Sequence, residues 1–372
     1  MAITLAQAKV GMADKIDQNI IDLVQRESAL MNALSYDDAV SPGTGGSTLT
    51  YGYLQTTTPA SAAGRSLNND YTPQHAVKSQ KTVDLQIMGG SFEIDRVIAA
   101  NSSKRNDEVK YQITEKTKAT VGRFQYLVVN GDKSVTNEFD GLNNLLADTE
   151  NEIDAHAVDV SGAMTAAHAE DLCEALDEAI ASLDGAPSMI LVNTKSKVKL
   201  IAAARVLNYF SQDRDEFGRT VDKYGDTPIV DLKDYYNGST TVKVIPVHAA
   251  NVYRKVTIAS GDFVTDGSFA ASVDGYLYTL SGSTYSKVSS GSYSSSTDYY
   301  KLVAKQGTTD IYIVRLGLDG FHAITPQGGV GINTILPDFS QAGAVKKGEV
   351  EMVAAVALKS TKAGAVLRGV KI

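Results

Sequence analysis

The sequence predicts an α+β chain, and three observations carry that expectation. In the closing tract, GAVKKGEVEMVAAVALKSTKAGAVLRGVKI, apolar residues fall on alternate positions. Val350, Met352, Ala354, Val356 and Leu358 fall on alternate positions of one run; Val366, Val370 and Ile372 do so in a second run, with Leu367 off it. A period of two carried to the last residue builds the C-terminus into a sheet. Helical spacing recurs elsewhere, as in Leu172, Leu176, Ala179, Ile180 and Leu183. From Phe139 to about Ile335, helix and strand patterns alternate, which reads as an α/β unit inside the larger chain.

In chain order, residues 3–34 place Ile16, Ile20, Leu23, Val24 and Leu30 at helical spacing, with Asp14 and Asp17 early and Arg26 late. That is a helix pattern. Ser41–Thr82 then changes character, being rich in Gly, Ser and Thr and broken by Pro42, Pro59 and Pro73. β-like runs flank it at Thr48–Gln55 and Val77–Ile87, the second alternating through Val83, Leu85 and Ile87. Together they predict a long hairpin with almost nothing to bury on itself. An isolated two-stranded ribbon is marginal in water. No surface of the same chain offers itself as cover, so a neighbouring subunit is expected to supply it.

Gly89–Gly90 reads as punctuation before Phe92 and Ile94 resume strand alternation toward Val97. Asn101, Ser102 or Ser103 can cap a long helix that runs to about Val129 and closes at Asn130–Gly131. Its apolar marks, Val109, Ile113, Phe124, Leu127 and Val128, are sparse in the first half, which predicts packing along one narrow stripe or lying on a surface. Thr165 starts the next helix, ended by Gly185, and Met189–Val192 is a buried strand. Thr194 caps a helix to about Leu207; Val221–Val230 and Val242–Val247 are further strands. Residues 251–310 interrupt the pattern with DGYLYTLSGSTYSKVSSGSYSSSTDYYKL, dense in Ser, Gly and Tyr. Tyr276, Tyr278 and Leu280 alternate there, so short hairpins are favoured over a disordered linker, and a surface β insertion is expected.

Bulk properties narrow the function. A chain of 372 residues that is 43% hydrophobic is globular and supports roughly two to three domains. A formal charge of −8 argues against tight binding of free nucleic acid. Locally, Lys104, Arg105, Lys110, Lys116, Lys118 and Arg123 outnumber the acids of the long helix, and the C-terminal tract is net basic. These are either solvated faces or a mild basic lining that tolerates polyphosphate without reading sequence. Cys173 is the single cysteine, which excludes an internal disulfide and reads as a buried structural thiol. There is no secretory h-region and no run near the ~18 apolar residues that cross a bilayer, so a soluble cytosolic product without membrane contact is expected.

No chemistry-bearing constellation survives inspection. His75, His156, His168, His248 and His322 are scattered and fit no ligand spacing. DRDEFG at Asp213–Gly218 begins like a calcium loop, but Phe217 takes a ligand position and the twelfth residue is Tyr224. GAVKKGEV has P-loop glycine spacing with Glu349 and Val350 where Lys and Ser/Thr are needed, and PQGGVGIN reads as a turn. No nucleophile–base–orienter set can be assembled. No catalytic, cofactor-binding or metal residue is therefore nominated, no cofactor is expected, and the chain is expected not to be an enzyme.

One resemblance runs through the chain. LTYGYL, KTVDLQIMGGSFEIDRVIA (Lys81–Ala99), NGD (Asn130–Asp132), FDGLNNLL (Phe139–Leu146), DEFGRTVDKYGDTPIVD (Asp215–Asp231), DIYIVRLGLDGFHAITPQGG (Asp310–Gly329) and the closing tract stand in order. In that order they resemble segments of tailed-bacteriophage major capsid proteins with the Hong Kong 97-type fold. The resemblance implies an N-terminal arm (1–46), an extended hairpin loop (47–95) and a peripheral domain with a long spine helix (96–134 and 336–372). It also implies an axial α/β domain (135–335) carrying the Ser/Tyr-rich insertion (251–310). It further implies hexamers and pentamers that close into an icosahedral head around double-stranded DNA, assembled in the host bacterial cytoplasm and ending in the virion. Some relatives carry a cleaved N-terminal scaffolding segment. Here Met1 leads directly into an arm-like helix, so a separate scaffolding protein, a portal and no cleavage of this chain are expected. Others cross-link Lys to Asn between subunits; Lys78, Lys81 and Asn333 are candidates that no local motif supports. Two alternatives stay open: an encapsulin-like nanocompartment shell of the same fold, and a surface-binding β-rich adhesion module suggested by the insertion.

Overall fold

The structure, a computed structural model, describes residues 28–39, 48–101, 108–207, 211–214, 220–326 and 331–372. Most of the helix expected over 3–34 lies outside them. Its described end is Ala29–Ala33, where the Ser28 hydroxyl accepts the Met31 N–H at 3.1 Å. The described residues divide into two units.

The first unit draws on Met1–Leu145, Asp234–Val242 and Leu316–Thr361. Its organising element is the 14-residue strand Val345–Leu358. Burial alternates along it to Val353 and then covers both sides from Ala354, where apolar residues no longer alternate with polar ones. Gln86–Asp95 and Ile332–Ile335 pair antiparallel with its first two thirds, and Phe321–Thr325 with its end. Tyr36–Asp38 adds a parallel edge to Phe321–Thr325. Gly89 is not a break: it sits inside Gln86–Asp95, opposite Glu351. A Cβ there would stand 2.1 Å from the Val350 carbonyl oxygen, so glycine permits close strand approach.

The helix Glu108–Asn130 packs on these strands. Its second half is buried well beyond a stripe, through Thr120, Gly122, Phe124, Gln125, Leu127, Val128 and Val129. The first half does not show a narrow stripe either: none of residues 108–119 is fully buried, and all but Lys110, Tyr111 and Thr114 are half-buried. Loop side chains close over the second: the Phe139 ring lies 6.1 Å from that of Phe124, and Gly131 N–H donates to Leu127 O at 2.9 Å.

The second unit comprises Leu146–Lys233, Lys243–Arg315 and Lys362–Ile372. Its sheet has seven strands in the order Glu152–Asp154, Gly364–Lys371, Thr308–Val314, Met189–Val192, Thr227–Asp231, Thr220–Tyr224, Ser211–Arg214. Helices Ala166–Ala181 and Thr194–Val206 supply Leu172, Leu176, Leu200 and Ala203 to a core shared with Ile190, Val192, Ile311, Ile313 and Leu367. Thr165 caps the first helix as expected, accepting the His168 N–H. The second is capped by Asn193 rather than Thr194. Its Oδ1 accepts the Ser196 N–H at 2.8 Å while its Nδ2 donates to Thr309 Oγ1 at 2.7 Å, which holds the side chain in place. Val221–Val230 is two strands, not one, because the chain reverses at Gly225 (φ +57). The expected strand Val242–Val247 shortens to Thr241–Lys243, as Val244 and Ile245 leave the ladder and bury.

The parity break at Leu367 has a structural cause. Leu367 faces Ile311 and Val370 faces Thr309, so Arg368 and Gly369 together oppose the single residue Asp310. This bulge returns Val370 to the same core as Ala365 and Leu367. Gly369 takes φ +79, and a Cβ there would meet the His156 ring at 2.0 Å. The tract 336–372 thus splits at the turn Thr361–Ala363: Val345–Leu358 stays with the first unit and Gly364–Lys371 enters the second.

The Ser/Tyr-rich insertion is ordered as a four-stranded sheet, Val252–Val256, Tyr299–Ala304, Leu277–Ser281 and Thr284–Lys287 in that order. Leu277, Tyr299 and Ile258 form its small core, with Phe263, Phe269 and Tyr293 against it. It ends at Ala304 rather than 310, since Thr308–Val314 is fully buried in the seven-stranded sheet.

Candidate functional site: the projecting hairpin and its root

Thr50–Thr58 pairs antiparallel with Val77–Asp84, with Tyr51 opposite Val83 and Tyr53 opposite Lys81. Residues 59–76 between them are exposed throughout. Leu67 is 88% exposed, Leu54 68% and Tyr71 62%, so the ribbon displays apolar side chains that no described residue covers.

Its root, however, has a foothold on its own unit, which corrects the expectation that no same-chain surface exists. Tyr51, Tyr53 and Gln55 project on one side by strand alternation and are half-buried. The Tyr53 hydroxyl donates to Leu358 O at 3.2 Å, and Gln55 Nε2 to Lys359 O at 3.3 Å. Tyr51 donates to Asp37 Oδ2 at 2.6 Å, and Lys359 Nζ reaches the same oxygen at 3.4 Å. The His322 ring stands edge-on to Tyr51, centroids 5.9 Å apart. Missing from the sequence reading, these residues share one signal in it: the Tyr-x-Tyr-x-Gln alternation at 51–55.

Electrostatics lock the root near neutrality. Burial opposes the Asp37 charge, but the Tyr51 hydroxyl, the Asp38 N–H and Lys359 outweigh it and hold the carboxyl below its usual range. Burial, with Asp37 beside it, pushes the Tyr51 hydroxyl up. His322 is fully buried, its Nε2 has no hydrogen-bond partner, and burial with Lys359 nearby lowers its pKa despite Gly320 O, Asp37 and Asp319. Burial also lowers the pKa of His248 in the second unit. A lowered histidine pKa means the unfolded chain binds more protons just below about pH 6.5. Stability from these two groups is therefore complete above that pH and declines as pH falls through it, while Asp37 stays ionised. Melting temperatures from pH 8 to 5 should be flat and then fall, and His322→Gln with His248→Gln should flatten the fall. An unchanged slope would exclude both histidines.

The residues singled out from sequence are dispersed. Lys78 and Lys81 are exposed on the ribbon, and Asn333 is exposed on Ile332–Ile335. Of the basic residues of the long helix, Lys104 and Arg105 lie outside the described residues, Lys118 pairs with Glu115 at 3.3 Å and Arg123 with Glu138 at 2.5 Å. His75 is exposed and His168 sits at a helix start. The Cys173 thiol is half-buried rather than buried, and burial raises its pKa, away from nucleophile behaviour. Most of the DRDEFG segment lies outside the described residues. Among them, no group of three or more His, Cys, Asp or Glu is placed to hold a metal, and no helix is long and apolar enough to cross a membrane.

The second unit holds one dense charge cluster, at the bulge. Arg368 donates to Glu152 Oε1 at 2.9 Å, Asp310 Oδ2 at 2.8 Å and the Tyr312 hydroxyl at 3.2 Å. Asp310 Oδ1 accepts the Gly369 N–H at 3.0 Å. From the insertion, Arg254 reaches Glu152 at 3.2 Å and Lys301 pairs with Asp148. Burial opposes the Arg368 charge, but Tyr312, Asp310 and Glu152 outweigh it and raise its pKa further. A charge-balanced set of this kind, buried at Arg368, Asp310 and Lys301, ties the insertion to the C-terminal strand and offers no acid or base to a substrate.

The sequence profile of the SU10 major capsid protein family matches residues 8–230. No curated protein matches the sequence. Among solved structures, the holo-SrpI encapsulin complex of Synechococcus elongatus PCC 7942 is similar at 14% identity and TM-score 0.52, covering 99% of this chain and 96% of the encapsulin chain. The capsid of a native GTA particle is similar at 11% identity and TM-score 0.52, covering 99% of each chain. Mycobacterium phage Bobi is similar at 10% identity and TM-score 0.51, covering 100% and 99%. At these identities the likeness to the solved structures is one of fold.

Proposed function

From the premise that this chain belongs to the SU10 major capsid protein family and has the Hong Kong 97-type fold, we propose that it builds the icosahedral head of a tailed bacteriophage. The observation that carries the assembly mechanism is the ribbon: rooted at Tyr51, Tyr53 and Gln55, and bare of cover from 59 to 76. Laid over a neighbouring copy, it buries the apolar side chains that its own chain leaves in water. In this reading 47–95 is the extended loop, 1–46 the arm, the long helix the spine of a peripheral domain, and the seven-stranded unit the axial domain. Subunits form hexamers and pentamers, each copy contributing several modest contacts that closure multiplies. A shell of this kind acts by assembly rather than turnover. The reading extends to double-stranded DNA held inside without sequence recognition, to a separate scaffolding protein and a portal, and to assembly in the bacterial cytoplasm before residence in the virion.

Electron microscopy of the purified recombinant chain tests this. Shells, tubes or capsomers are expected. Dispersed monomers would refute the shell and favour the adhesion module. Assemblies from a native source that contain cargo protein and no DNA would favour the nanocompartment instead, whose fold is equally similar.

A further inference from the structure

The Ser/Tyr-rich sheet has one face that its own unit does not use. Strand alternation gives its four strands two faces. Arg254 stands opposite Lys301, and Lys301 opposite Leu277, on the face that also carries Tyr299. That face holds the small core and reaches the rest of the unit, through Arg254 to Glu152 and Lys301 to Asp148. The other face turns away from it. It carries Tyr253, Tyr278, Tyr285 and Tyr300, all half-buried. Ring centroids are 4.1 Å apart for Tyr253 and Tyr285, 4.8 Å for Tyr253 and Tyr278, and 5.2 Å for Tyr285 and Tyr300. The four rings form one continuous aromatic patch across the sheet. The Tyr278 hydroxyl donates to Asp274, whereas those of Tyr253, Tyr285 and Tyr300 have no hydrogen-bond partner among the described residues.

The charges around this patch are already engaged. Between Gly275 and Thr297 the sole charged residue is Lys287. Its ammonium lies 2.8 Å from the centre of the Tyr276 ring, and Lys255 pairs with Asp298 at 2.7 Å. Such a face has little to offer a phosphate or an acidic polymer, which calls for uncommitted cations. Aliphatic exposure is slight, with Leu280 at 41%, while Ser281, Ser283 and Thr284 are exposed at its hairpin end. Rings with electron-rich faces, tipped and edged by hydroxyls, suit a ligand that shows C–H groups on its flat sides and hydroxyls on its rim. A pyranose ring does both. We propose that Tyr253, Tyr278, Tyr285 and Tyr300 bind a neutral polysaccharide of the bacterial surface, its sugar rings stacked on the aromatic faces. The source is bacterial because the chain belongs to a family of phage capsid proteins. Tyrosine supplies rigid contact area at low ordering cost, and the three unpartnered hydroxyls fix the orientation of the sugar. The inference goes beyond the shell reading, since one copy of the chain supplies the whole patch.

An array of purified neutral and acidic bacterial polysaccharides, probed with the full chain, tests it. Binding to one or more neutral polymers is expected, and added salt should leave it unchanged because no ion pair carries it. Isothermal titration with a bound polymer then compares variants. Tyr253→Ala with Tyr285→Ala should weaken binding by about tenfold or more. Tyr285→Phe with Tyr300→Phe keeps the rings and removes two hydroxyls, and should weaken it about fivefold. The Phe pair preserves the packing, so it reads the site even where the Ala pair disturbs the insertion, which circular dichroism and melting temperature would reveal. Binding to no neutral polymer, or to acidic ones alone, overturns the proposal. Full affinity in both the Ala and the Phe pair overturns it as well. If wild type binds no polysaccharide and the Ala pair loses assembly, the face is a contact between copies instead. A wild-type chain that stays monomeric yet binds a neutral polymer would sink the shell reading and leave this site standing.

Discussion

Replacing residues 59–76 by Asn-Gly leaves a folded chain that no longer forms shells. Thr58 and Val77 are ladder partners, so a two-residue turn joins them without disturbing the register below. The Tyr51, Tyr53 and Gln55 contacts at the root remain. What is lost is exposed in the isolated chain, Leu67 and Tyr71 included, so folding loses almost no burial and the melting temperature should move by about 2 °C or less. Assembly loses one cross-subunit contact per copy. A standard interface buries on the order of 800 Å² per partner, and losing even a fraction of that at every subunit of a closed shell multiplies through it. Sedimentation of the truncated protein should show slow species only. Shells of normal size from it would mean the ribbon is ornament, and the burial argument for assembly would fail with them.

What the sequence disclosed about this fold follows from how local each cause is. The ribbon was legible because its scarcity of apolar residues is a property of consecutive positions. The strand 345–358 was legible because one covered face writes a period of two. Gly89 was misread as a break because its reason is the Val350 carbonyl, more than two hundred and fifty residues away. Leu367 looked anomalous for the same reason: Asp310, opposite Arg368 and Gly369, marks the bulge that follows it. The segment 221–230 hid its reversal at Gly225 among β-branched residues that suit strands on either side. Tertiary partners also decided the candidate site. Asp37, His322 and Lys359 carry no motif, and only folding gathers them under Tyr51. The closing tract shows both limits at once, since its strand content was readable and its division between two units was not.

Arg368→Met is expected to be among the most damaging single substitutions in the second unit. The side chain is 7% exposed and serves Glu152, Asp310 and Tyr312 together. Without it Glu152 keeps Arg254 at 3.2 Å, but Asp310 is left with the Gly369 N–H and a His248 Nε2 3.9 Å away. A buried carboxylate stripped of its cation costs about 3–5 kcal/mol, a large share of the roughly 5–15 kcal/mol that holds a domain together. The bulge should loosen with it, because Asp310 also fixes the Gly369 N–H. Urea titration should therefore place the variant's midpoint far below that of wild type, with loss of soluble protein at elevated temperature. The diagnostic partner is Arg368→Met with Asp310→Asn. Removing the stranded charge while keeping the amide as an acceptor should recover on the order of 1–3 kcal/mol, although the second change alone is also destabilising. A double variant no better than the single one would show that Arg368 acts through the packing of its stem rather than through its charge.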